Sequence, residues 1–277
     1  MVDKVRFAAA CARALLRKPE GGGIGLLGEK ALHSALKYYY EPDASCHERE
    51  AFGFVADIKN SDGIIEIQTR NLFSMKRKLG VYLENTPVTL VHPVIHRRTL
   101  IYMDPDTGEL SRPRLSPKKG RVEDAYSELV HIREAVGSNN LVIVIPLVDA
   151  EEYRIREAGK RRRRGGNADL KFELLPTRLI SETVIACPED HLRLLPEALK
   201  REGGLLPFTV GELSKAAGLP YRTASAMCAV MISAGALRRR REGKSYIYEE
   251  ANENIADTDE CDCGQGRKPR PRTGNGQ

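Results

Sequence analysis

Apolar and polar positions along the chain fall into two rhythms, one of period two and one near 3.6. Phe52–Asp57 (FGFVAD) and Gly63–Thr69 (GIIEIQT) place β-favouring residues on either side of the turn-forming run Lys59-Asn60-Ser61-Asp62-Gly63, which predicts two strands paired as a hairpin. Alternation then sets Glu66 and Gln68 on one face and sends Ile65 and Ile67 into the core on the other. Upstream, Leu32, Ala35, Leu36 and Tyr39 repeat at helical spacing and predict a helix over Gly28–Tyr40, with the acidic Glu41–Glu50 stretch as a loop. Glu29 sits at the start of that helix, where the helix dipole also favours an acid. Downstream, Leu72, Met75, Leu79 and Leu83 predict a helix over Asn71–Glu84 laid on the sheet. Val88–Ile95 and Thr99–Met103 read as strands, Glu123–Val136 as a helix, Asn140–Val148 as a continuously apolar strand buried on both faces, and Leu170–Leu175 as a further strand.

The last third of the chain changes pattern. Thr209 followed by Glu212 is a capping box that opens a helix through Ala217, Gly218 supplies a turn, and a second helix begins near Pro220 and runs to Gly235. Leu237–Arg241, Gly243 and Tyr246–Tyr248 then predict a small hairpin. The expected division is a helical segment and Gly linker at 1–23, an α/β domain at 24–180, a helical domain at 189–250 whose first helix is Glu189–Arg201, and a disordered tail at 251–277, which is polar and rich in Gly and Pro.

Composition narrows the class. The chain has 277 residues, 41% of them apolar and 30% charged, enough for one sizeable core and a smaller domain. No run approaches the roughly eighteen apolar residues of a membrane span, and the short Phe7–Leu16 stretch is interrupted by Arg13, so no membrane association and a cytoplasmic location are expected. The six cysteines lack the doubled CxxC spacing of a zinc ribbon. The net charge of +6 is modest, but its placement is uneven: Lys160–Arg164 (KRRRR), Arg238–Arg241 (RRRR), the tail residues Arg267, Lys268, Arg270 and Arg272, and the loop Arg112–Arg121 with Lys118 and Lys119. Such clusters neutralise phosphates and release counterions, which points to nucleic acid, with DNA as the expected partner.

Candidate chemistry sits on the hairpin. Asp57 on one strand and Glu66 on the next can meet at one point, and close carboxylates with hard oxygen ligands are held together near neutral pH by a divalent cation such as Mg²⁺ or Mn²⁺. A helix bearing Glu29, then Asp57, then Glu66-Ile67-Gln68, then a helix and another apolar strand resembles the PD-(D/E)xK nuclease superfamily, the restriction-endonuclease type, over about Ile24 to Ile95. The resemblance implies an αβββαβ core in which Glu29, Asp57 and Glu66 bind the metal and a water attacks a phosphodiester. It also implies a lysine two residues after the second acid, where this chain has Gln68. Glutamine holds a water or a phosphate oxygen but carries no charge, so Lys76 or Lys78 on the next helix would have to supply it. Glu48 and Glu50 are additional acids near the first strand, and His33, one turn after Glu29, shares its side of the helix.

Helix, tight turn, helix and basic hairpin resemble a winged helix-turn-helix. That resemblance implies that Tyr221, Arg222, Thr223 and Ser225 face bases or phosphates while Arg238, Arg239, Arg240, Arg241 and Lys244 grip the backbone. The expected whole is a Mg²⁺-dependent endonuclease docked on DNA by a winged helix, with a homodimer as one arrangement for cutting both strands. The alternative is a non-catalytic DNA-binding regulator built on a degenerate nuclease fold.

Overall fold

The computed structural model describes residues 2–16, 30–155 and 170–251. In chain order its elements are α1 (Lys4–Leu16), α2 (Lys30–Tyr40), β1 (His47–Ala51), β2 (Phe54–Asn60), β3 (Gly63–Ile67), α3 (Lys76–Asn85), β4 (Val88–Val91), β5 (Val94–Met103), β6 (Arg114–Leu115), α4 (Tyr126–Leu129), α5 (Arg133–Val136), β7 (Leu141–Ile155), β8 (Leu170–Ile185), α6 (Pro188–Arg193), β9 (Lys200–Arg201), β10 (Gly204–Leu205), α7 (Val210–Ala217), α8 (Tyr221–Ser233), β11 (Leu237–Glu242) and β12 (Ser245–Glu250). The protein is of mixed α/β class. Glu29, the Gly21–Gly23 joint, the Lys160–Arg164 run and the tail from residue 252 lie outside the described residues.

An eight-stranded mixed sheet organises everything else. β1, β2 and β3 form an antiparallel meander, and β4 joins β3 in parallel with Glu66 opposite Leu90. β4 and β5 behave as one strand bent at Pro93, because Val88 pairs with Leu141 and Val94 with Leu147 of β7 at an unchanged offset. Proline has no N–H to give the ladder, which accounts for the break. β7 is therefore central, parallel to β4 and β5 on one edge and antiparallel to β8 on the other. A strand in that position is covered on both faces, which is why Leu141–Val148 reads as an unbroken apolar run.

Helices cover both faces. α1 and α2 bury Phe7, Leu32, Leu36 and Tyr39 against Ile58, Ile67, Val91 and Val144. On the opposite face α3 and the helical turns at 122–136 pack Leu79, Tyr82, Tyr126 and Leu129 over Ile64, Leu90, Ile143 and Ile145. The same buried cluster runs on without interruption into Phe208, Leu213, Met227, Cys228, Met231 and Tyr248, so the C-terminal helices share a core with the sheet. Tyr126 Oη lies 2.7 Å from His191 Nδ1 at this junction, and Arg121 donates to the Ala217 carbonyl at 2.7 Å.

Several boundaries depart from expectation, each for a local reason. The Glu41–Glu50 stretch contributes β1, an edge strand whose HEREA sequence is mostly exposed and carries no alternation. Phe52 belongs to the β1–β2 turn, with φ of 49° there and 79° at Gly53, a left-handed pair suited to a two-residue hairpin loop. The single helix expected over Glu123–Val136 is broken into short helical turns. The helix expected over Glu189–Arg201 stops at Arg193, and Pro196 lies before the next turn. The Thr209–Glu212 capping box forms as read, with Glu212 N–H donating to Thr209 Oγ1 at 3.2 Å and Thr209 N–H to Glu212 at 2.7 Å. No helix among the described residues is long and apolar enough to cross a membrane.

Gly63 fixes the β2–β3 turn at φ +130°, and a Cβ there would lie 2.3 Å from the Pro87 carbonyl oxygen. Gly63→Ala is expected to lower stability by about 3 kcal/mol, combining left-handed strain with a backbone clash, as read by urea denaturation. An unchanged midpoint and slope would contradict this packing of the turn.

Candidate active site

The ladder between β2 and β3 holds only from Ile58–Ile65 to Asn60–Gly63 and then gives out. Beyond it, side chains replace backbone partners: Ile67 N–H donates to Asp57 Oδ2 at 2.9 Å, and Asp57 N–H reaches Glu66 Oε1 at 3.4 Å. On the other edge of β2 the register passes from His47–Ile58 to Arg49–Ala56, and Glu48, opposite Asp57, has a left-handed φ of 50°. The strands thus part at Asp57 and Glu66, and the two carboxylates occupy the fork.

Each acid is served from a different layer. From α2, His33 Nε2 stands 3.2 Å from Asp57 Oδ2. One turn further along α2, Lys37 is buried at 3% exposure and ion-paired with Glu48. From α3, Lys78 Nζ lies 2.7 Å from Glu66 Oε1 and 2.8 Å from Oε2. Lys78 also lies over the ring of Tyr82, 5.5 Å from its centroid. The Tyr82 hydroxyl is buried without a hydrogen-bond partner, and burial, then the charges of Glu66 and Asp57, push its pKa up. A buried donor without a partner is rare in a native core.

Electrostatics split the pair. Burial, followed by the negative charge of Asp57, pushes Glu66 up to about 7, although Lys78 opposes both. Burial also acts to raise Asp57, but the hydrogen bond and charge of His33, the Ile67 N–H and the charge of Lys37 outweigh it and hold Asp57 below the usual carboxylate range. The result is one ionised acid and one that exchanges its proton near neutrality, the division expected when like charges share a buried site.

As a metal centre the fork offers hard oxygens from Asp57 and Glu66, the donor set a divalent cation takes. Among the described residues no group of three or more His, Cys, Asp or Glu side chains converges with the geometry to hold an ion. The carboxylate pair therefore fits a cation only when Glu66 is ionised and Lys78 gives up part of its hold.

The other residues singled out from sequence divide. Gln68 follows the last residue of β3, and its amide donates to the Arg70 carbonyl at 2.7 Å, which ties it to the turn after the strand. Lys76 pairs with Glu134 at 2.9 Å, away from the carboxylates, and Lys78 is the lysine of α3 that reaches them. Lys118, Lys119, Tyr221, Arg222 and Lys244 are exposed. Thr223 is not available to bases: it is 6% exposed, its hydroxyl 3.5 Å from that of Ser127. The cause is the small-residue surface of α8, where Ala224 and Ala226 let the helix settle into the shared core. The four arginines of β11 alternate across the hairpin. Arg238 and Arg240 turn to Glu249, Arg239 stacks on Tyr246 at 4.8 Å, and Arg241 donates to the Gly243 carbonyl. Sequence reasoning missed Lys37 and Tyr82. Their signal was a lysine within an apolar helical stripe and a tyrosine one turn after a basic residue.

A carboxyl raised from 4.5 to about 7 adds stability in full below its unfolded value and loses it as pH rises through the folded one. Glu66→Gln cannot ionise. In chelator its unfolding free energy should match wild type near pH 5 and exceed it by on the order of 2–3 kcal/mol at pH 8. A difference that stays constant with pH would refute the raised value.

The family model for a domain of unknown function, DUF8091, matches residues 30–185. An uncharacterized protein of Treponema pallidum (strain Nichols) is 32% identical over 141 residues, covering 50% of this chain and 56% of that protein, so the chain spans little more than half of that relative's length. No solved structure matches. Since the matched region takes in α2, the whole sheet and both carboxylates of the fork, the chain belongs to the DUF8091 family.

Proposed function

We propose that the protein is a metal-dependent nuclease that hydrolyses DNA phosphodiester bonds at the Asp57–Glu66 fork, on a restriction-endonuclease-like αβββαβ core carrying a winged helix. The observation that carries this reading is the meeting of two carboxylates where β2 and β3 part, with a lysine delivered to one of them from the following helix. The order α2, antiparallel meander, α3 and parallel β4 supports it, being the order that the sequence resemblance implies. So does the run of α7, α8 and the β11–β12 hairpin for the winged helix.

Asp57 and Glu66 would hold Mg²⁺ or Mn²⁺, with Glu29 as a further ligand. Such a cation would supply Lewis acidity at a phosphoryl oxygen and a water of lowered pKa. Lys78 takes the part of the missing lysine. Its ammonium, already beside both Glu66 oxygens, is placed to orient the attacking water and to offset charge that develops on the phosphate. His33 and the Ile67 N–H fix Asp57 in direction and, with the charge of Lys37, keep it ionised, while Gln68 would hold a water or a phosphate oxygen once its amide leaves Arg70. One observation favours a non-catalytic DNA-binding regulator instead: the residue at the expected lysine position is uncharged and its amide is already engaged.

Purified protein with Mg²⁺ or Mn²⁺ should cut at least one of plasmid duplex, single-stranded or branched DNA. Asp57→Asn and Glu66→Gln should abolish cutting while leaving DNA binding intact. Lys78→Ala should slow it about 10²- to 10³-fold, the scale of losing one charge-stabilising donor, and Gln68→Ala should slow it less. Absence of metal-dependent cleavage on all of these substrates, with DNA still bound, would leave the regulator reading.

A further inference from the structure

Exposed positive charge gathers at one end of the sheet. The loop Arg112–Arg121 carries five basic residues and no acid, and Arg112, Arg114, Lys118 and Lys119 are all exposed. The loop is clamped in place. Gly120 N–H donates to the His96 carbonyl at 2.9 Å, and a Cβ at Gly120 would lie 2.2 Å from the Ile95 carbonyl oxygen, so the backbone is pressed onto β5. Arg121 then reaches across to the Ala217 carbonyl at the end of α7. Gly218 turns the chain there, and α8 opens with Tyr221, 64% exposed, and the exposed Arg222. Loop and helix tip are therefore neighbours.

Their place relative to the fork follows from the sheet. β3 lies along one edge of the bent β4–β5 strand and β7 along the other. β6 pairs with β5 at Thr99–Leu115 on the edge that β3 occupies further back. Ile67 is level with Val91, and Gly120 with Ile95 and His96, so the C-terminal end of the loop lies about 13 Å of strand further along β4–β5 than the end of β3, past the bend at Pro93. The wing offers less. Its arginines are spread over two faces and partly neutralised by Glu242 and Glu249.

We infer that Arg112, Arg114, Lys118 and Lys119 together with Tyr221 and Arg222 form one backbone-gripping surface that holds duplex nucleic acid across the end of the sheet beside the carboxylate fork. The inference rests on the nucleic-acid reading above and replaces the wing as the main grip. Because α8 shares the core of the sheet, the grip stands at a fixed offset from Asp57 and Glu66.

The test uses the full chain carrying Asp57→Asn and Glu66→Gln, in EDTA, with fluorescence anisotropy on short duplex DNA between about 50 and 200 mM salt. Adding Lys118→Glu, Lys119→Glu and Arg222→Glu should weaken binding about 30-fold or more and lower the slope of log affinity against log salt by about three, with the thermal melt unchanged. Arg239→Glu with Arg241→Glu should weaken it several-fold less. Equal binding by the triple variant, or no duplex binding by the parent, overturns the proposal. So does binding to phosphatidylserine vesicles alone that is lost in the triple variant. Cleavage by the otherwise wild-type chain is scored separately. A chain that grips DNA through these residues but never cuts removes hydrolysis and keeps the grip, while one that cuts and tolerates the triple change does the reverse.

Discussion

Two carboxylates buried side by side repel each other, and the strands that carry them must either neutralise that charge or part. Here both happen. β2 and β3 stop pairing where Asp57 and Glu66 face each other, and partners arrive from both sides of the sheet, the His33 imidazole and the Lys37 ammonium from α2 and the Lys78 ammonium from α3. The two helical layers are therefore part of the site as well as part of the core. Apolar burial of Leu32 and Leu36 on one face and of Leu79 and Tyr82 on the other sets the distance at which those side chains meet the acids. A shift of either helix would leave a buried charge unpaired, which is far costlier than losing a surface ion pair.

On the proposed reading, the asymmetry of the pair is what would give it chemical use. Asp57 is held ionised by donors that are fixed in place, whereas Glu66 answers to a flexible lysine and sits near neutrality. A site with one permanent and one conditional negative charge can accept a divalent cation when Glu66 loses its proton and rest on Lys78 when it does not. The unpartnered Tyr82 hydroxyl beside it is the remaining donor that such an exchange could satisfy.

Much of this was legible in the chain because it rests on local rules. Alternation on either side of the turn gave β2 and β3, although Lys59, Asn60 and Gly63 belong to the strands and only Ser61 and Asp62 form the turn; helical spacing gave α2 and α3, the latter opening at Lys76 after a separate helical turn, and the Thr209–Glu212 box gave the start of α7. What was not legible depended on neighbours far away in sequence. β1 is polar because it is an edge, the two halves of β5 join across a register shift at Ile95–Arg98 because β7 lies beside both, and Thr223 is buried because α8 packs on α4. The choice of Lys78 over Lys76 is of the same kind: both precede Leu79 on one helix, and only the packing of that residue against the sheet decides which lysine points at Glu66. A run of four arginines looked like one basic palm, but strand alternation divides it between two faces.

If Asp57 and Glu66 act as one ligand pair, calorimetric titration of the full chain with Mn²⁺ at pH 8 will show it. Wild type should show a binding site that is lost in both Asp57→Asn and Glu66→Gln, with proton release on binding that grows as the pH is lowered toward 6. Equal Mn²⁺ affinity in wild type and both variants would contradict it.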